Sequence, residues 1–233
     1  MLVVPGFTLR RVANTAGDRM TSMRGLVLHC QQGHGSCFSR FNDPAVEASS
    51  TWWIGEDGQG EQYTDDPRTR MWAQGEGNPS WCSVETEGFG TTVTLSDGVH
   101  EATPLTGPQL ATLERLYAWG HDVLGWAVAL ADTPDGHGFG WHGMGGTPWG
   151  GHPSCPGELR RGQRGQVLDR VRAGLNPHGL QPGQVWVPSQ KIGDTTYGGV
   201  MDVHRVPVKA KGVVNGAGQA MCWGSHGWQV CRD

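Results

Sequence analysis

Two histidines and one cysteine lie within fourteen residues, from His142 to Cys155, in a stretch rich in glycine, proline and tryptophan. The second histidine is His152. Glycine and proline at this density interrupt regular structure, so the stretch cannot be a single helix or strand. Imidazole and thiolate are ligands that zinc prefers, because zinc is a borderline-soft cation. The stretch therefore predicts a loop that carries metal ligands, and the rest of the chain must fold so that other ligands reach it.

His29 is the third candidate ligand, far upstream. It stands near the end of the apolar segment from Arg24 to Cys30, which predicts a short strand with His29 and Val27 on one face. A histidine that ends a strand is usually only a hydrogen-bonded polar side chain, and the downstream partners are what make this one a ligand candidate. Three protein ligands and one open position are typical of a catalytic zinc site.

The composition excludes several classes of protein. A length of 233 residues allows one good core and a small second unit. The net charge of -4 provides no basic field for nucleic acid or an acidic membrane. No apolar run approaches the roughly 18 residues of a membrane span. We expect no nucleic-acid partner, no membrane insertion and a monomer. The segment Met1–Gly6 lacks the charge and apolar pattern of a secretory signal, so we expect none.

Six cysteines leave the disulfide pattern open. Cys30 and Cys37 flank a short loop, and Cys222 and Cys231 flank a segment typical of a hairpin. Either pair is a bridge that adds stability, or a pair of free buried thiols, because the redox compartment is unknown. Cys155 is better explained as a metal ligand.

The order of predicted elements alternates strands and helices. Residues 1–24 are predicted to be irregular, and Arg24 to Cys30 to be a strand. The remaining predictions are a helix over 42–49 from its Asn-Asp-Pro start, a hairpin over 50–63, a strand over 81–88, a helix over 106–124 that ends at Gly125, a buried strand over 126–130 and a helix over 156–174. The fold class is therefore α/β, with a mixed central sheet flanked by helices.

The composition changes after residue 175. Residues 176–184 contain closely spaced proline and glycine, which is typical of a linker. Short alternating segments follow, and they predict a small β-rich unit over 185–233. We therefore expect a catalytic domain over 1–175 and a second domain over 185–233.

Glu85 and Glu87 share one face of the predicted strand over 81–88. Two carboxylates on one strand face are usually solvated. A carboxylate beside a zinc site would instead act as a general base.

Five motifs, in order, resemble the zinc amidases of peptidoglycan, the family that includes peptidoglycan recognition proteins and phage endolysins. The resemblance is to the actinobacterial and actinophage members. The motifs are Leu26-Val27-Leu28-His29, Ala48 to Gly58, Trp72-Ala73-Gln74 with Asn78, Ser83 to Gly88, and Trp141-His142 with Cys155-Pro156-Gly157.

The resemblance implies a set of site residues. His29, His142 and Cys155 would bind Zn²⁺, and Glu85 would be the catalytic acidic residue near the metal. Trp53, Trp72 and Asn78 would contact substrate, although a tryptophan such as Trp72 also serves as a loop anchor packed on the core.

Three positions depart from the family pattern. Thr51 stands where many relatives have histidine, so we assign it no role. The spacing from His142 to Cys155 is long, which leaves His152 as a competing ligand. Pro153 stands where relatives often have lysine or threonine, so the role of stabilising an oxyanion falls to His152.

The expected activity is hydrolysis of the amide between N-acetylmuramic acid and L-alanine in peptidoglycan, by zinc-activated water. The expected protein is a phage or prophage endolysin, made in the host cytoplasm without a signal peptide and released to the wall by a holin or another export route. The second unit would bind wall, with a weak resemblance to bacterial SH3-like modules. The alternatives are a non-catalytic peptidoglycan-binding module, an exported antibacterial effector with the same chemistry, and a glycosidase that uses paired carboxylates.

Overall fold

Six strands form one mixed sheet in the N-terminal part of the chain. The computed structural model describes residues 1–175, 184–192, 194–207, 209–224 and 227–231. The strands up to residue 175 are β1 (Phe7–Leu9), β2 (Gly25–Cys30), β3 (Trp52–Ile54), β4 (Gly60–Gln62), β5 (Trp81–Thr86), β6 (Val93–Leu95), β7 (Gly98–His100) and β8 (Gly138–Trp141). The sheet order is β1-β4-β3-β5-β2-β8, and β6 pairs with β7 separately. The predicted α/β class with a mixed sheet is confirmed.

The centre of the sheet is parallel. β2 lies between β5 and β8 and is parallel to both, and β5 is parallel to β3 on its other side. Every residue of β2 is buried, which fits the continuous apolar sequence of a strand covered on both faces. Because these strands run in one direction, their carboxyl ends meet at one edge, where sites commonly form in open α/β sheets.

Four helices accompany the sheet: α1 (Phe38–Phe41), α2 (Gly107–Leu124), α3 (Glu158–Gly162) and α4 (Arg164–Leu175). The predicted helix over 106–124 is confirmed as α2. Thr106 and Gln109 form a capping box at its start, and Gly125 ends it with a φ of 75°. Its buried face includes Leu113 and Leu116.

Four predictions of local structure are wrong. The helix predicted over 42–49 is absent, and the short α1 ends just before it. Asp43 instead caps a turn, because its carboxylate accepts a hydrogen bond from the amide of Ala45. The segment over 126–130 is not a strand, because Trp126 packs its buried indole against Tyr117 and Trp52. The helix predicted over 156–174 is interrupted at Gln163, which ends α3. The region over 1–24, predicted to be irregular, contains β1.

The chain divides into two compact units, Met1–Val171 and Arg172–Asp233. In the second unit β9 (Gln184–Ile192) pairs antiparallel with β10 (Thr195–Asp202), and β11 (Met221–Gly224) pairs with β12 (Gly227–Val230). Its own small core is formed by Val185, Val187, Val206, Ala210 and Val213. The expected small β unit is therefore present. Residues 176–183 of the predicted linker lie outside the described residues.

The two candidate disulfides have different outcomes. Cys222 and Cys231 form a disulfide, with an S–S distance of 1.97 Å, across the β11–β12 hairpin. Cys30 and Cys37 are free, buried thiols. In the part of the chain that the structure describes, no helix has both the length and the apolar character needed to cross a membrane.

Candidate metal centre

His29, His142 and Cys155 converge at the carboxyl edge of the parallel strands. Each offers one ligand atom, and these atoms all lie within 4.8 Å of one another. His29 is the fifth residue of β2, and His142 follows the last residue of β8, its parallel neighbour. The register pairs Leu28 with Trp141, so the next residues along the two strands are the two histidines. Adjacent parallel strands therefore bring together two ligands that are far apart in sequence.

The loop after His142 returns to place the cysteine beside it. The amide of Gly143 donates a hydrogen bond to the carbonyl of Cys155 at 3.0 Å. This close contact needs glycine, since a Cβ at Gly143 would lie 2.6 Å from the carbonyl oxygen of Pro153. The residues between His142 and Cys155 thus form a closed loop, whose two ends are joined by a hydrogen bond.

The imidazole of His29 is oriented by Gln74. The side-chain amide of Gln74 donates to the carbonyl of Trp81 at 2.8 Å, so its oxygen must face the other way. That oxygen lies 3.1 Å from Nε2 of His29 and can only accept, so Nε2 carries the proton. Asn78 holds the loop in turn, because its side-chain oxygen accepts from the backbone amide of Gln74 at 2.7 Å. The free lone pair of His29 is consequently on Nδ1.

His142 has the same arrangement with a different partner. Its Nε2 lies 2.9 Å from the carbonyl oxygen of Trp149, which can only accept. Nδ1 of His142 is therefore also free to bind a cation. Burial lowers the pKa of His142 to about 4 and holds the pKa of His29 well below its usual range. Both rings are neutral near pH 7, which is the form that binds metals.

Cys155 and Glu85 complete the inner wall of the site. Burial raises the pKa of the Cys155 thiol, and the nearby Glu85 carboxylate raises it further. Burial also raises the pKa of Glu85 to about 7, against the opposing effect of Arg40 and Arg160. Oε2 of Glu85 is buried and has no hydrogen-bond partner among the described residues. A buried acceptor of this kind implies a missing polar partner at the centre of the site.

The residues fit a zinc ion. Two neutral imidazoles and one thiol form a set of ligands typical of zinc, and each histidine already has an outer partner for its second nitrogen. An open cavity of about 500 Å³ adjoins them, and its lining includes Arg40, Glu85 and His152. A small molecule or water can therefore approach the three ligand atoms and the Glu85 carboxylate from one side.

His152 lies beside the three ligands and is not one of the convergent group. Its ring centroid is 4.9 Å from that of His142, and the side chain is exposed. The geometry favours His142 over His152 as the ligand. His152 faces the cavity, where an oxyanion-stabilising role stays a prediction.

The predicted substrate residues occupy different environments. Trp72 is 41% exposed, with the Arg70 guanidinium 5.2 Å from its ring centroid. Trp53 is buried in a hydrophobic cluster, and its indole N–H donates to the side chain of Gln31, which lines the cavity. Asn78 is buried and supports the Gln74 loop. Substrate contact by these three residues stays a prediction. In the structure Trp53 orients Gln31, and Asn78 orients the loop that carries Gln74.

Neither Gln74 nor Arg40 has a position in the site that the sequence predicts. Gln74 lies within the motif Trp72-Ala73-Gln74, but its contact with His29 bridges 45 residues of chain. Arg40 is exposed on α1 and lines the cavity. No sequence pattern indicates either role, since both depend on where loops meet.

Comparisons with known proteins show the fold. No protein-family model matches the sequence, and no curated protein matches it. The structure is similar to that of the hydrolase AmiA of Staphylococcus aureus in complex with its ligand, at 13% identity over 73% of this chain and 83% of that chain, with a TM-score of 0.52. It is also similar to the endolysine N-acetylmuramoyl-L-alanine amidase LysCS of Clostridium intestinale URNW, at 12% identity over 75% and 97%, with a TM-score of 0.49. A third similar structure is the Drosophila peptidoglycan recognition protein SD, at 13% identity over 65% and 85%, with a TM-score of 0.46.

Proposed function

We propose that this chain is a zinc-dependent N-acetylmuramoyl-L-alanine amidase, related to the peptidoglycan recognition proteins. The observation that carries the proposal is the convergence of His29, His142 and Cys155 within 4.8 Å, next to the Glu85 carboxylate and an open cavity. The fold shared with AmiA and the resemblance of the five motifs support the proposal.

The metal would be held by Nδ1 of His29, Nδ1 of His142 and Sγ of Cys155. When bound, zinc supplies Lewis acidity, which makes water more acidic and polarises an amide carbonyl. The chain prepares both imidazoles as neutral ligands by burial and by hydrogen bonds to their other nitrogens. It also provides a buried thiol that must lose its proton as the metal enters.

Glu85 is the general base of the proposal. Its Oε2 has no partner among the described residues, and the side chain lines the cavity, where it would accept a proton from water. The same carboxyl then returns the proton to the leaving nitrogen of L-alanine, so one residue serves as base and acid in turn. His152, exposed on the cavity wall, donates a hydrogen bond to the oxyanion that develops on the former carbonyl.

The biological setting is the second part of the proposal. We assign the chain to phage or prophage endolysins, synthesised in the host cytoplasm and released to the cell wall through a holin or another export route. This assignment is supported by the resemblance of the motifs to the endolysins of actinophages. The second unit is proposed to bind peptidoglycan. An exported antibacterial effector with the same chemistry is the competing setting.

A non-catalytic binding module is the alternative function. It would retain the sheet and the cavity, but it would not need a cysteine beside two histidines. Glu87 gives little support to a glycosidase pair, because both of its oxygens accept backbone hydrogen bonds, from Gly35 and from Glu56.

Digestion of purified peptidoglycan tests the proposal. We expect zinc-loaded protein to release new amino groups without new reducing sugar ends, and chelated protein to release neither. New reducing ends would identify a glycosidase, and binding of the wall without cleavage would identify the binding module. Cys155→Ser should abolish the release of amino groups together with the tightly bound zinc.

A further inference from the structure

A second group of metal-ligating side chains lies outside the proposed catalytic set. His34, Glu56 and Glu87 bring one nitrogen and two carboxylate oxygens within 4.8 Å of one another. Nδ1 of His34 is 3.8 Å from Oε2 of Glu56 and 3.8 Å from Oε1 of Glu87. We propose that these three residues form a second, weaker binding site for a divalent transition-metal ion such as Zn²⁺, here called the rim site.

The rim site is assembled by the same edge of the sheet as the first group. His34 lies in the loop after β2, Glu56 follows β3, and Glu87 comes directly after β5. These three strands are neighbours and parallel where they pair, so their following loops meet. The site is therefore built by three loops fixed on one scaffold rather than by a run of neighbouring residues.

The two distances from Nδ1 of His34 need only a small contraction. Two ligands of a tetrahedral zinc ion, each about 2.0–2.1 Å from the metal, lie ~3.4 Å apart. The separations of 3.8 Å from Nδ1 of His34 exceed this by about 0.4 Å. The side chain of His34 is 57% exposed, so a small rotation of its ring is enough.

Two backbone hydrogen bonds already hold the Glu87 carboxylate at the rim site. Its Oε1 accepts a hydrogen bond from the amide of Gly35 at 2.6 Å, and its Oε2 accepts one from the amide of Glu56 at 2.8 Å. Each carboxylate oxygen can accept more than one bond, so both remain able to bind a cation. The His34 ring packs against Phe89 in an edge-to-face arrangement, with centroids 5.2 Å apart.

The charge balance also favours a cation. Within the described residues, no arginine or lysine nitrogen lies within 4.0 Å of either carboxylate, and His34 is their one ion-pair partner. Arg160 is close, but its guanidinium donates to Thr86, Thr103 and the backbone carbonyl of Glu87. Two carboxylates that face each other repel, and a divalent ion would neutralise them.

The rim site differs from the first group in chemistry and exposure. It has no thiolate, and two of its three side chains are at least 40% exposed. We therefore expect weaker binding and faster exchange. His34 lines the same cavity as His29 and Cys155, so an ion at the rim would stand where substrate enters. If the proposed amidase activity holds, excess zinc should inhibit it through this site.

Titration with Co²⁺ separates the two sites without using activity. Thiolate-bound Co²⁺ gives an intense charge-transfer band, whereas a site of imidazole and carboxylates gives only weak bands. We expect the whole protein to bind two equivalents, with the charge-transfer band complete after the first. H34A should bind one equivalent and keep that band, and E56Q should show the same pattern. C155S should bind one equivalent without the band.

His100→Ala is the matched control, because the His100 ring lies 6.4 Å from that of His34 and is not among the three ligands. It should retain two equivalents. A wild-type stoichiometry of one with the full charge-transfer band, or an unchanged stoichiometry in both H34A and E56Q, would overturn the rim site. Failure to cleave peptidoglycan would instead overturn the proposed function and leave the titration interpretable. If both hold, H34A should shift the inhibitory zinc concentration upward at least tenfold.

Discussion

His29 and Glu85 are register partners on adjacent parallel strands, and Nδ1 of the histidine lies 3.8 Å from Oε1 of the glutamate. The pairing of β2 with β5 therefore fixes an imidazole proposed to bind metal next to a carboxylate that has one unsatisfied oxygen. Both residues lie on strands of the central sheet. Such a pair on rigid strands is suited to keeping a base at constant distance from the metal.

His142 and His152 should behave differently when each is replaced by alanine. His142→Ala removes one of the three convergent ligands, so we expect tight zinc binding and activity to be lost together. His152→Ala should leave the zinc content unchanged and lower kcat by about 10²-fold, as expected for loss of one oxyanion donor. Metal analysis after dialysis, alongside kinetics on peptidoglycan fragments, measures both effects. Loss of zinc in His152→Ala with retention in His142→Ala would reverse the ligand assignment.

Gln74→Leu should weaken zinc binding although Gln74 does not contact the metal. The substitution removes the acceptor that fixes the proton on Nε2 of His29, and outer partners of this kind typically contribute 10–100-fold in affinity. Competition with a chromogenic chelator measures the change. Gln59→Leu, in the exposed turn between β3 and β4, is the control and should bind zinc as the wild type does. Equal affinities for the two variants would show that Gln74 does not orient His29.

Glu85 should make the stability of the metal-free protein depend on pH. Its pKa is raised from 4.5 to about 7 in the folded state, so the folded chain holds this proton more tightly than the unfolded chain. The stabilisation is complete below pH 4.5 and is lost as the pH rises toward 7. Relative to Glu85→Gln, the free energy of unfolding of the wild type should fall by about 2–3 kcal/mol between pH 4.5 and 7.

Urea unfolding of both proteins at several pH values, in the presence of a chelator, provides the test. The two histidines of the site are the same in both proteins, so their own titration largely cancels in the difference. A difference between wild type and Glu85→Gln that stays constant from pH 4.5 to 7 would exclude a carboxyl with a raised pKa at this position.

The Cys222–Cys231 disulfide should stabilise the second unit alone. It closes a loop with a sequence separation of 9, for which chain entropy predicts about 2–3 kcal/mol. We expect the double variant Cys222→Ser, Cys231→Ser to lower the unfolding midpoint of the second unit in the full-length chain. The midpoint of the first unit and the zinc content should not change. Calorimetry measures the unfolding midpoint of each unit. A shift in the midpoint of the first unit would contradict this prediction.

The three candidate ligands could be named from sequence because metal-binding chemistry is carried by residue type. Histidines at strand ends and a cysteine in a nearby loop indicate a metal site before any contact is known, and the long α2 is specified by its capping box and its apolar spacing. The roles of Gln74 and the rim site depend on which loops meet, and sequence spacing does not contain that information.

The wrong predictions of local structure have similar causes. Asn42 and Asp43 are as typical of a turn as of a helix start. Because Phe41 packs in the core, the helix, α1, lies before these residues instead of after them. The apolar segment that begins at Trp126 reads as a strand. The indole of Trp126 is instead buried among aromatic rings. Within this segment only Leu130 forms a β-bridge to β8. Tertiary packing decided both cases.

X-ray absorption at the zinc edge, on full-length protein loaded with one equivalent, identifies the atoms that bind the metal. We expect one sulfur at about 2.3 Å and two imidazole nitrogens at about 2.0–2.1 Å, with a further oxygen from solvent. A first shell that contains no sulfur, or one closed by four protein donors, would contradict the proposed zinc site.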